Sequence, residues 1–201
     1  MSNVVAAMSI SVDGFVGASD PEQWFPVHNR VHDWVFELAA WRERQGMTGG
    51  RTSVSSDLVA EEFAGTGAYV MGRSMFDFGE EPWGEEPPFH APVFVVTHRK
   101  REPLHRVGTT FTFVTEGLES AVEQAADAAG ERDVFVSGGA SIVQQAIAAG
   151  LLDELHLHQV PVLLGAGVRL WDHIGTGWKE LEPTRITPGD GVTHLYYRFP
   201  R

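Results

Sequence analysis

The chain has 201 residues, 43% hydrophobic and 21% charged, which suits a globular protein large enough to bury a core. A net charge of −12 argues against nucleic-acid binding, which normally needs a basic surface. Without cysteine, disulfides, thiolate chemistry and cysteine-based zinc sites are excluded. Because no leader pattern and no membrane-spanning apolar run is evident, we expect one cytoplasmic domain over residues 1–201 that contacts no membrane.

The first predicted elements are a buried strand and two helices. Residues 3–11 form a small apolar run without helical period, which is typical of a buried strand. Residues 28–44 place apolar side chains, Leu38 among them, on one helical face and are predicted as one helix. A loop reaches Pro26, a second covers 46–56, and a short helix covers 57–64.

Short apolar strands then alternate with helices. Strands are predicted over 68–71, 93–97, 109–115, 134–136 and 155–160, and helices over 74–78, 118–129 and 140–149. Two last segments, 178–187 and 192–199, are predicted as an antiparallel pair. This order predicts an α/β sandwich with a mainly parallel sheet and an antiparallel C-terminal edge.

Three segments at the ends of predicted parallel strands carry glycine or positive charge. They are Gly72-Arg73-Ser74, Thr97-His98-Arg99 and Ser137-Gly138-Gly139-Ala140-Ser141. In the third, a glycine pair lets the backbone approach a ligand and the following helix offers unpaired N–H groups to a phosphate. Because ligands bind at this edge of α/β sheets, we expect one dinucleotide to contact all three. The alternatives are a turn without a ligand and solvated arginines.

Five pieces of sequence, in order along the chain, resemble the dihydrofolate reductase-like superfamily. They are closer to its branch of RibD C-terminal domains, the reductase domains of bacterial riboflavin biosynthesis. The pieces are S-V-D-G-F-V-G (11–17), A-Y-V-M-G-R-S-M-F-D (68–77), V-F-V-V-T-H-R (93–99), V-F-V-S-G-G-A-S-I-V-Q-Q-A (134–146) and D-E-L-H-L-H-Q-V-P-V-L-L-G-A-G (153–167). The resemblance implies a three-layer α/β/α fold with a central sheet of about eight strands, and an NADPH-dependent reductase.

At matching positions, the resemblance implies contacts with each part of NADPH. The nicotinamide and its ribose would meet Ser9, Val16 and Gly17. A phosphate and the adenosine end with its 2′-phosphate would meet Gly72, Arg73, Ser74, Thr97, His98 and Arg99. The pyrophosphate would lie against Ser137, Gly138, Gly139, Ala140, Ser141 and Ile142, and the Gly138–Gly139 peptide would be cis.

The substrate side departs from these relatives. Trp24-Phe25-Pro26 resembles the Trp-x-x-Pro region of dihydrofolate reductases, but His28 stands near the position of their carboxylate. Ser137 stands where pyrimidine-reducing relatives usually have Glu. The predicted substrate contacts are Trp24, His28 and His158, and the last is equally well explained as a hydrogen-bonded histidine of the sheet.

The proton donor is predicted to be Asp13 or Asp33, since reduction of C=N or C=O needs an acid near the acceptor. A turn-forming Asp13 and a surface-exposed Asp33 are the alternatives. The pairs His28/His32 and His156/His158 have spacings that metal sites use. No third ligand and no H-E-x-x-H accompanies them, so no metal is predicted.

The predicted function is hydride transfer from NADPH to a small pterin-like, pyrimidine-like or carbonyl substrate. One alternative is a non-enzymatic nucleotide-binding protein, because no carboxylate directly follows Pro26. Another is a stand-alone pyrimidine reductase of the riboflavin pathway. The family's habit of dimerising suggests a homodimer that uses Leu155, Leu157 and the two terminal strands.

Overall fold

The structure is a computed structural model that describes residues 2–200. These residues form two compact units. Unit 1 contains the N-terminal residues through Ala6 and residues Gly65–Glu154, and unit 2 contains Ala7–Ala64 and the residues from Leu155 onward. The first strand crosses from one unit to the other. A single domain over 1–201 stays a prediction.

The chain contains eleven strands and six α-helices among the described residues. The strands are β1 (Val4–Ser11), β2 (Phe15–Gly17), β3 (Thr66–Gly72), β4 (Val93–Val96), β5 (Leu104–Arg106), β6 (Thr109–Val114), β7 (Asp133–Gly138), β8 (Glu154–Val160), β9 (Val168–Arg169), β10 (Glu182–Gly189) and β11 (Val192–Arg198). The helices are α1 (Trp24–Phe36), α2 (Ala39–Arg44), α3 (Val54–Gly65), α4 (Arg73–Gly79), α5 (Leu118–Ala129) and α6 (Ala140–Ala149).

Nine strands form one sheet in the order β10-β11-β8-β1-β7-β3-β4-β6-β5. The pairs β1–β7, β7–β3, β3–β4 and β4–β6 are parallel, whereas β10–β11 and β5–β6 are antiparallel. The predicted parallel sheet with an antiparallel C-terminal edge is therefore confirmed. It has nine strands rather than about eight, because the unpredicted β5 pairs with β6. Strands β2 and β9 form a separate antiparallel pair.

The core of unit 1 is built around the parallel strands. Every residue of β3 is buried, as expected for a parallel strand covered on both faces. Phe76 of α4 and Phe111 of β6 are almost completely buried and meet edge to face, with ring centroids 5.2 Å apart. Helix α5 buries one stripe of apolar residues, and its bounds agree with the predicted 118–129.

The predicted helix over 28–44 is wrong in its middle. Two helices, α1 and α2, are separated at Leu38, which is fully buried and extended with ψ of 140°. The backbone beside it pairs with Arg51: Ala39 N–H donates to Arg51 O (3.0 Å), and Arg51 N–H donates to Glu37 O (2.7 Å). A non-local backbone contact thus overrides a helical apolar pattern.

Some predicted boundaries also move. Helix α1 begins at Trp24, earlier than predicted, because Pro26 lies in its first turn where a proline is tolerated. Strand β10 begins at Glu182 rather than 178, and Trp178 is 88% exposed. Leu155 and Leu157, which the sequence suggested for a homodimer interface together with the two terminal strands, are buried within the chain. The homodimer itself stays a prediction.

Candidate functional site

The three predicted phosphate segments lie side by side in unit 1. They follow β7, β3 and β4, which are parallel neighbours in the sheet. The register pairs Met71 with Gly138 and Gly72 with Val96, so the three strands end at the same edge. Because each strand points its carboxyl end to this edge, one extended ligand can reach all three segments.

Gly72 joins β3 to α4 and allows α6 to lie very close. It is the N-cap residue of α4 and adopts an extended conformation. A Cβ at this position would lie 2.8 Å from Cγ1 of Ile142, in the first turn of α6, and 4.0 Å from the Gly138 carbonyl oxygen. The β3–α4 and β7–α6 junctions are therefore packed closely together at Gly72.

The Gly138–Gly139 turn opens the N-terminus of α6. The peptide between the glycines is cis, as the resemblance implied, and Gly138 has φ of +108°, a region that favours glycine. Gly139 is exposed, and an added Cβ there would meet no atom within 4 Å. No side chain caps α6, and its first turn has no acidic residue. The backbone N–H groups and the positive end of the helix dipole are thus open to an anion.

Two arginines lie together at this edge. The guanidinium of Arg73 pairs with Asp77 (Nε to Oδ1, 2.5 Å), and that of Arg101 makes two contacts with Glu80. Both guanidinium groups lie over the rings of Phe76 and Phe113, at 5.0 to 6.0 Å from the centroids. The hydrogen bonds from Arg101 lower the pKa of Glu80.

Arg101 was not among the predicted site residues. It follows Arg99 within the basic run after β4, and that run is the signal that would have pointed to it. In the predicted segment itself, Thr97 is buried and its Oγ1 accepts the N–H of Arg99 (3.1 Å). His98 and Arg99 are exposed, so their side chains stand free of the core at the edge where the strands end.

Ser137 and Ser141 make local contacts. The Ser137 hydroxyl donates to the Val70 carbonyl oxygen (3.4 Å) and lies 3.9 Å from the sulfur of Met75. The Ser141 hydroxyl accepts from the Gln145 amide one turn later on α6 (3.0 Å).

The residues predicted for the nicotinamide side lie in unit 2. Ser9 on β1 is buried, and its hydroxyl accepts the indole N–H of Trp34 (3.1 Å). Val16 and Gly17 belong to β2, which pairs with β9. A Cβ on Gly167 would lie 2.2 Å from the Gly17 carbonyl oxygen, so this backbone approach needs a glycine.

Asp13 has the contacts of a structural carboxylate. It accepts hydrogen bonds from the Ser11 hydroxyl (2.6 Å) and from the backbone N–H groups of Leu164 (3.1 Å) and Gly165 (2.7 Å). The hydrogen bond from Ser11, helped by those two N–H groups, lowers the pKa of Asp13 to about 2. A group that stays ionised at neutral pH and ties down a turn is poorly suited to donate a proton.

The other predicted residues on α1 separate into two faces. Asp33 is exposed, whereas its neighbour Trp34 is buried. Trp24 and His28 are half-buried and stack with their ring centroids 4.6 Å apart. His28 in turn contacts His32, at 4.3 Å between ring centroids. Burial, together with the charge of His28, lowers the pKa of His32 to about 4.

His158 belongs to a buried polar cluster that we define as Ser55, Glu62, His156, His158, His194 and Tyr196. Glu62 Oε1 lies 3.0 Å from His156 Nδ1, 3.6 Å from His158 Nε2 and 3.2 Å from the Tyr196 hydroxyl. His158 Nδ1 lies 2.8 Å from His194 Nδ1, and His194 Nε2 lies 2.9 Å from the Ser55 hydroxyl.

The cluster is largely buried, and the charges of its histidines and its carboxylate act on one another. Trp34 covers it, with ring centroids 4.8 Å from His158 and 5.2 Å from His194. Burial lowers the pKa of fully buried His194 to about 4. Burial alone would raise the pKa of Glu62, but the charge of His158 and the histidine hydrogen bonds outweigh it and hold that pKa low. Of this cluster, His158 was predicted as a site residue, and His156 stood out in the sequence only for its spacing from His158.

A model of the RibD C-terminal domain family matches residues 2–195. The chain belongs to this family. Its sequence is also 27% identical over 137 residues to an uncharacterised protein, YyaP, of Bacillus subtilis (strain 168), covering 65% of this chain and 72% of that protein.

Three solved structures resemble this RibD C-terminal domain over 99% of its length. They are a protein named for riboflavin biosynthesis from Shewanella sp. PV-4 (TM-score 0.70, 17% identity, 99% of that chain), a pyrimidine reductase-like protein from Corynebacterium diphtheriae (0.57, 12%, 92%) and dihydrofolate reductase from Enterococcus faecalis complexed with NADP(H) and RAB-propyl (0.56, 15%, 97%). The predicted three-layer α/β/α, dihydrofolate reductase-like fold is thereby confirmed.

Residues 2–200 of this RibD C-terminal domain contain neither a membrane-spanning helix nor a metal-binding cluster. No helix in this part is both long and apolar enough to cross a membrane. No three histidine, cysteine, aspartate or glutamate side chains in the same part are arranged to hold a metal ion.

Proposed function

We propose that this RibD C-terminal domain is an NADPH-dependent reductase that transfers a hydride to a small heterocyclic or carbonyl substrate. Its family and its dihydrofolate reductase-like fold support a reductase-type activity. One observation carries the choice of a dinucleotide. Three segments rich in glycine or positive charge end neighbouring parallel strands, and one of them opens the uncapped N-terminus of α6.

The proposed binding mode follows from the chemistry of these groups. The pyrophosphate would accept hydrogen bonds from the first turn of α6, where Gly139 leaves the space before the helix open. The 2′-phosphate would meet the exposed Arg99 at the end of β4. Arg73 and Arg101 are already paired with carboxylates, so Arg99 contributes the more available positive charge.

The bound cofactor would supply the hydride, and the protein would align the acceptor and provide a proton. Asp13 is occupied by three hydrogen bonds and Asp33 is exposed, so neither has the burial that prepares a carboxyl group to donate a proton near neutral pH. The proposed source is instead the buried histidines of unit 2, because an imidazole can accept a proton on one nitrogen and release one from the other.

A titration of NADPH tests the proposal, with cofactor fluorescence as the signal. We expect saturable binding at micromolar to sub-millimolar cofactor, weaker binding of NADH, and oxidation of NADPH when a suitable pterin, pyrimidine, quinoid compound or aldehyde is added. A flat titration over that range would overturn the proposal.

A second candidate is a nucleotide-binding protein without catalysis, which the structural role of Asp13 favours. Saturable NADPH binding without turnover of any of these acceptors would support it. A pyrimidine reductase of riboflavin biosynthesis would instead reduce a ribosylamino-pyrimidine. Ser137, whose hydroxyl contacts the backbone of β3, offers that substrate no carboxylate.

A further inference from the structure

Four side chains of the buried cluster form a line of polar contacts inside unit 2. Ser55 Oγ contacts His194 Nε2 (2.9 Å), His194 Nδ1 contacts His158 Nδ1 (2.8 Å), and His158 Nε2 faces Glu62 Oε1 at 3.6 Å. The line joins α3, β11 and β8 and begins and ends on α3. Each imidazole contacts one partner with each of its two nitrogens. This is the arrangement in which a histidine can accept a proton on one side and release one on the other.

Two proton arrangements satisfy every contact in the line. In the first, His158 carries its proton on Nε2 toward Glu62, and its Nδ1 accepts from His194 Nδ1–H. The Ser55 hydroxyl then donates to His194 Nε2. In the second, His158 carries protons on both nitrogens, its Nδ1–H donates to His194, and His194 Nε2–H donates to Ser55.

The second arrangement contains one more proton than the first. The conversion moves no heavy atom: the Ser55 hydroxyl proton passes to His194 Nε2, and the His194 Nδ1 proton passes to His158. A proton supplied to Ser55 replaces the one it gave up. The extra charge therefore rests on His158, next to the ionised Glu62, rather than on fully buried His194.

Other charged and titratable groups surround the line. Glu62 from α3 also contacts His156 of β8 and Tyr196 of β11. The charge of His158 acts on His32 of α1, and Arg185 of β10 acts on His194. A positive charge on His32 or Arg185 would oppose proton uptake by the line. The charge of Arg185 is offset by its ion pair with Glu61 (2.8 Å), and the Glu62 carboxylate, 3.6 Å from His158, favours uptake.

We propose that Ser55, His194, His158 and Glu62 form a proton relay, in which a proton that enters at Ser55 rests on His158 beside the Glu62 carboxylate. One part of this inference rests on the proposed function: the relay is the store for the proton that accompanies the hydride. The hydride forms the new C–H bond, and the π electrons of C=N or C=O move to nitrogen or oxygen. On release the steps run in reverse: His158 Nδ1–H returns a proton to His194, His194 Nε2–H returns one to Ser55, and the Ser55 hydroxyl passes one on that completes N–H or O–H. The first arrangement is then restored, and solvent supplies the next proton to Ser55. These are positioning residues, since they act at a distance from the acceptor.

Nuclear magnetic resonance of the imidazole nitrogens tests the relay without cofactor or substrate. Across a pH titration, His158 should gain a second proton while His194 moves its single proton from Nδ1 to Nε2, and both changes should share one midpoint. If His194 keeps the same tautomer throughout, or the two rings change at separate midpoints, the relay is wrong.

Variants on α3 extend the test. Glu62→Gln removes the carboxylate that faces His158. The proton affinity of His158 should then fall about tenfold or more, which moves the shared midpoint to lower pH. Glu123→Gln makes the same change at an exposed carboxylate on α5 of unit 1 and should leave the midpoint in place. Ser55→Ala removes the proton entrance, so His194 should no longer change tautomer as His158 titrates. A retained tautomer change in Ser55→Ala would overturn the assignment.

Kinetics then separate the relay from the reaction. During turnover, the fall in kcat with rising pH should have the same midpoint as the loss of the second proton from His158. That midpoint should shift to lower pH in Glu62→Gln. A coupled midpoint with an unshifted limb would overturn the proton store and leave the reductase intact. If the wild type oxidises no NADPH with any acceptor, the proposed function is contradicted. The imidazole spectra test the relay independently of that result.

Discussion

A Cβ atom at residue 72 would lie 2.8 Å from Cγ1 of Ile142. Because Cγ1 is close to the backbone of α6, the side chain cannot simply turn away, and helix or strand must shift. We expect Gly72→Ala to lower the free energy of unfolding by ~1–3 kcal/mol, the usual cost of overpacking a well-packed contact. Denaturant unfolding measures this.

Gly139→Ala is the matched control for that change, since a Cβ there meets no atom within 4 Å. Its unfolding midpoint should stay near that of the wild type. Ile142→Ala removes Cγ1 itself, so Gly72→Ala should cost less in that background than in the wild type. Equal stability of Gly72→Ala and Gly139→Ala would contradict the tight contact.

Gly139→Asp should weaken NADPH binding without harming the fold. Asp is a favourable N-cap residue, and the space before α6 is open. Two like charges about 4 Å apart near a protein surface repel by about 4 kcal/mol, so a pyrophosphate at α6 should bind tenfold or more weakly. Ser53→Asp adds the same charge before α3 and should change neither the NADPH affinity nor the free energy of unfolding. Unchanged NADPH affinity in Gly139→Asp would remove α6 from the cofactor site.

Arg99→Ala should reduce the preference for NADPH over NADH. A charge-assisted hydrogen bond to the 2′-phosphate is worth roughly tenfold or more in affinity. NADH has no 2′-phosphate, so its affinity should not change in this variant. Paired titrations of the two cofactors measure the ratio. Lys100→Ala, the adjacent exposed cation, is the control and should keep the wild-type ratio. The same ratio in Arg99→Ala as in the wild type would show that the 2′-phosphate lies elsewhere.

The buried histidines should make the fold sensitive to acid. The pKa of His194 falls from 6.5 to about 4 on folding, so the unfolded chain binds more protons between these values. Stability is therefore fully present above about pH 6.5 and is lost as the pH falls toward 4, by on the order of 2 kcal/mol for this residue. His32, shifted in the same direction, adds to the loss.

Denaturant unfolding curves recorded from pH 8 to pH 4.5, at intervals of about half a pH unit, measure how steeply the free energy of unfolding changes with pH. His194→Asn should be less stable at neutral pH, because a buried imidazole is lost, but should show a shallower slope. His105→Asn removes an exposed imidazole and serves as the control. A slope in His194→Asn as steep as in the wild type would mean that other groups cause the acid sensitivity.

Asp13→Asn and Asp33→Asn distinguish a structural carboxylate from an acid. Asp13→Asn should lower Tm, because the amide cannot accept all of the hydrogen bonds that hold the 164–165 turn. Under saturating cofactor, both variants should keep kcat within about threefold of the wild type, whereas loss of a true acid typically costs 10²- to 10⁴-fold. A loss of that size in either variant would restore it as the proton donor.

Local patterns predicted the elements that local forces determine. The strand–helix junctions at Gly72 and Gly138 follow from apolar runs that end in glycine, and the structure places both as expected. The break at Leu38 was not predictable in this way. It depends on backbone pairing with Arg51, a contact that no helical or strand period reports.

The polar cluster of unit 2 shows a second limit. Ser55 and His194 are separated by 139 positions, and Glu62 and His156 by 94, so no sequence window contains both partners. A signal did exist in β11, where alternation puts His194 and Tyr196 on the same face as the buried Val192. A histidine on a buried strand face needs a polar partner.

The division of the chain into units has a consequence for its synthesis. Unit 1 is complete in sequence once Glu154 has been made, whereas residues 7–64 of unit 2 still lack β8, β10 and β11. Domains and smaller units generally fold as the chain emerges, from the N-terminal side first. Residues 7–64, which carry Ser55 and Glu62, therefore cannot complete unit 2 until β10 and β11 have left the ribosome. Until then the apolar faces of their helices lack the strands that cover them, and we expect a chaperone to bind there.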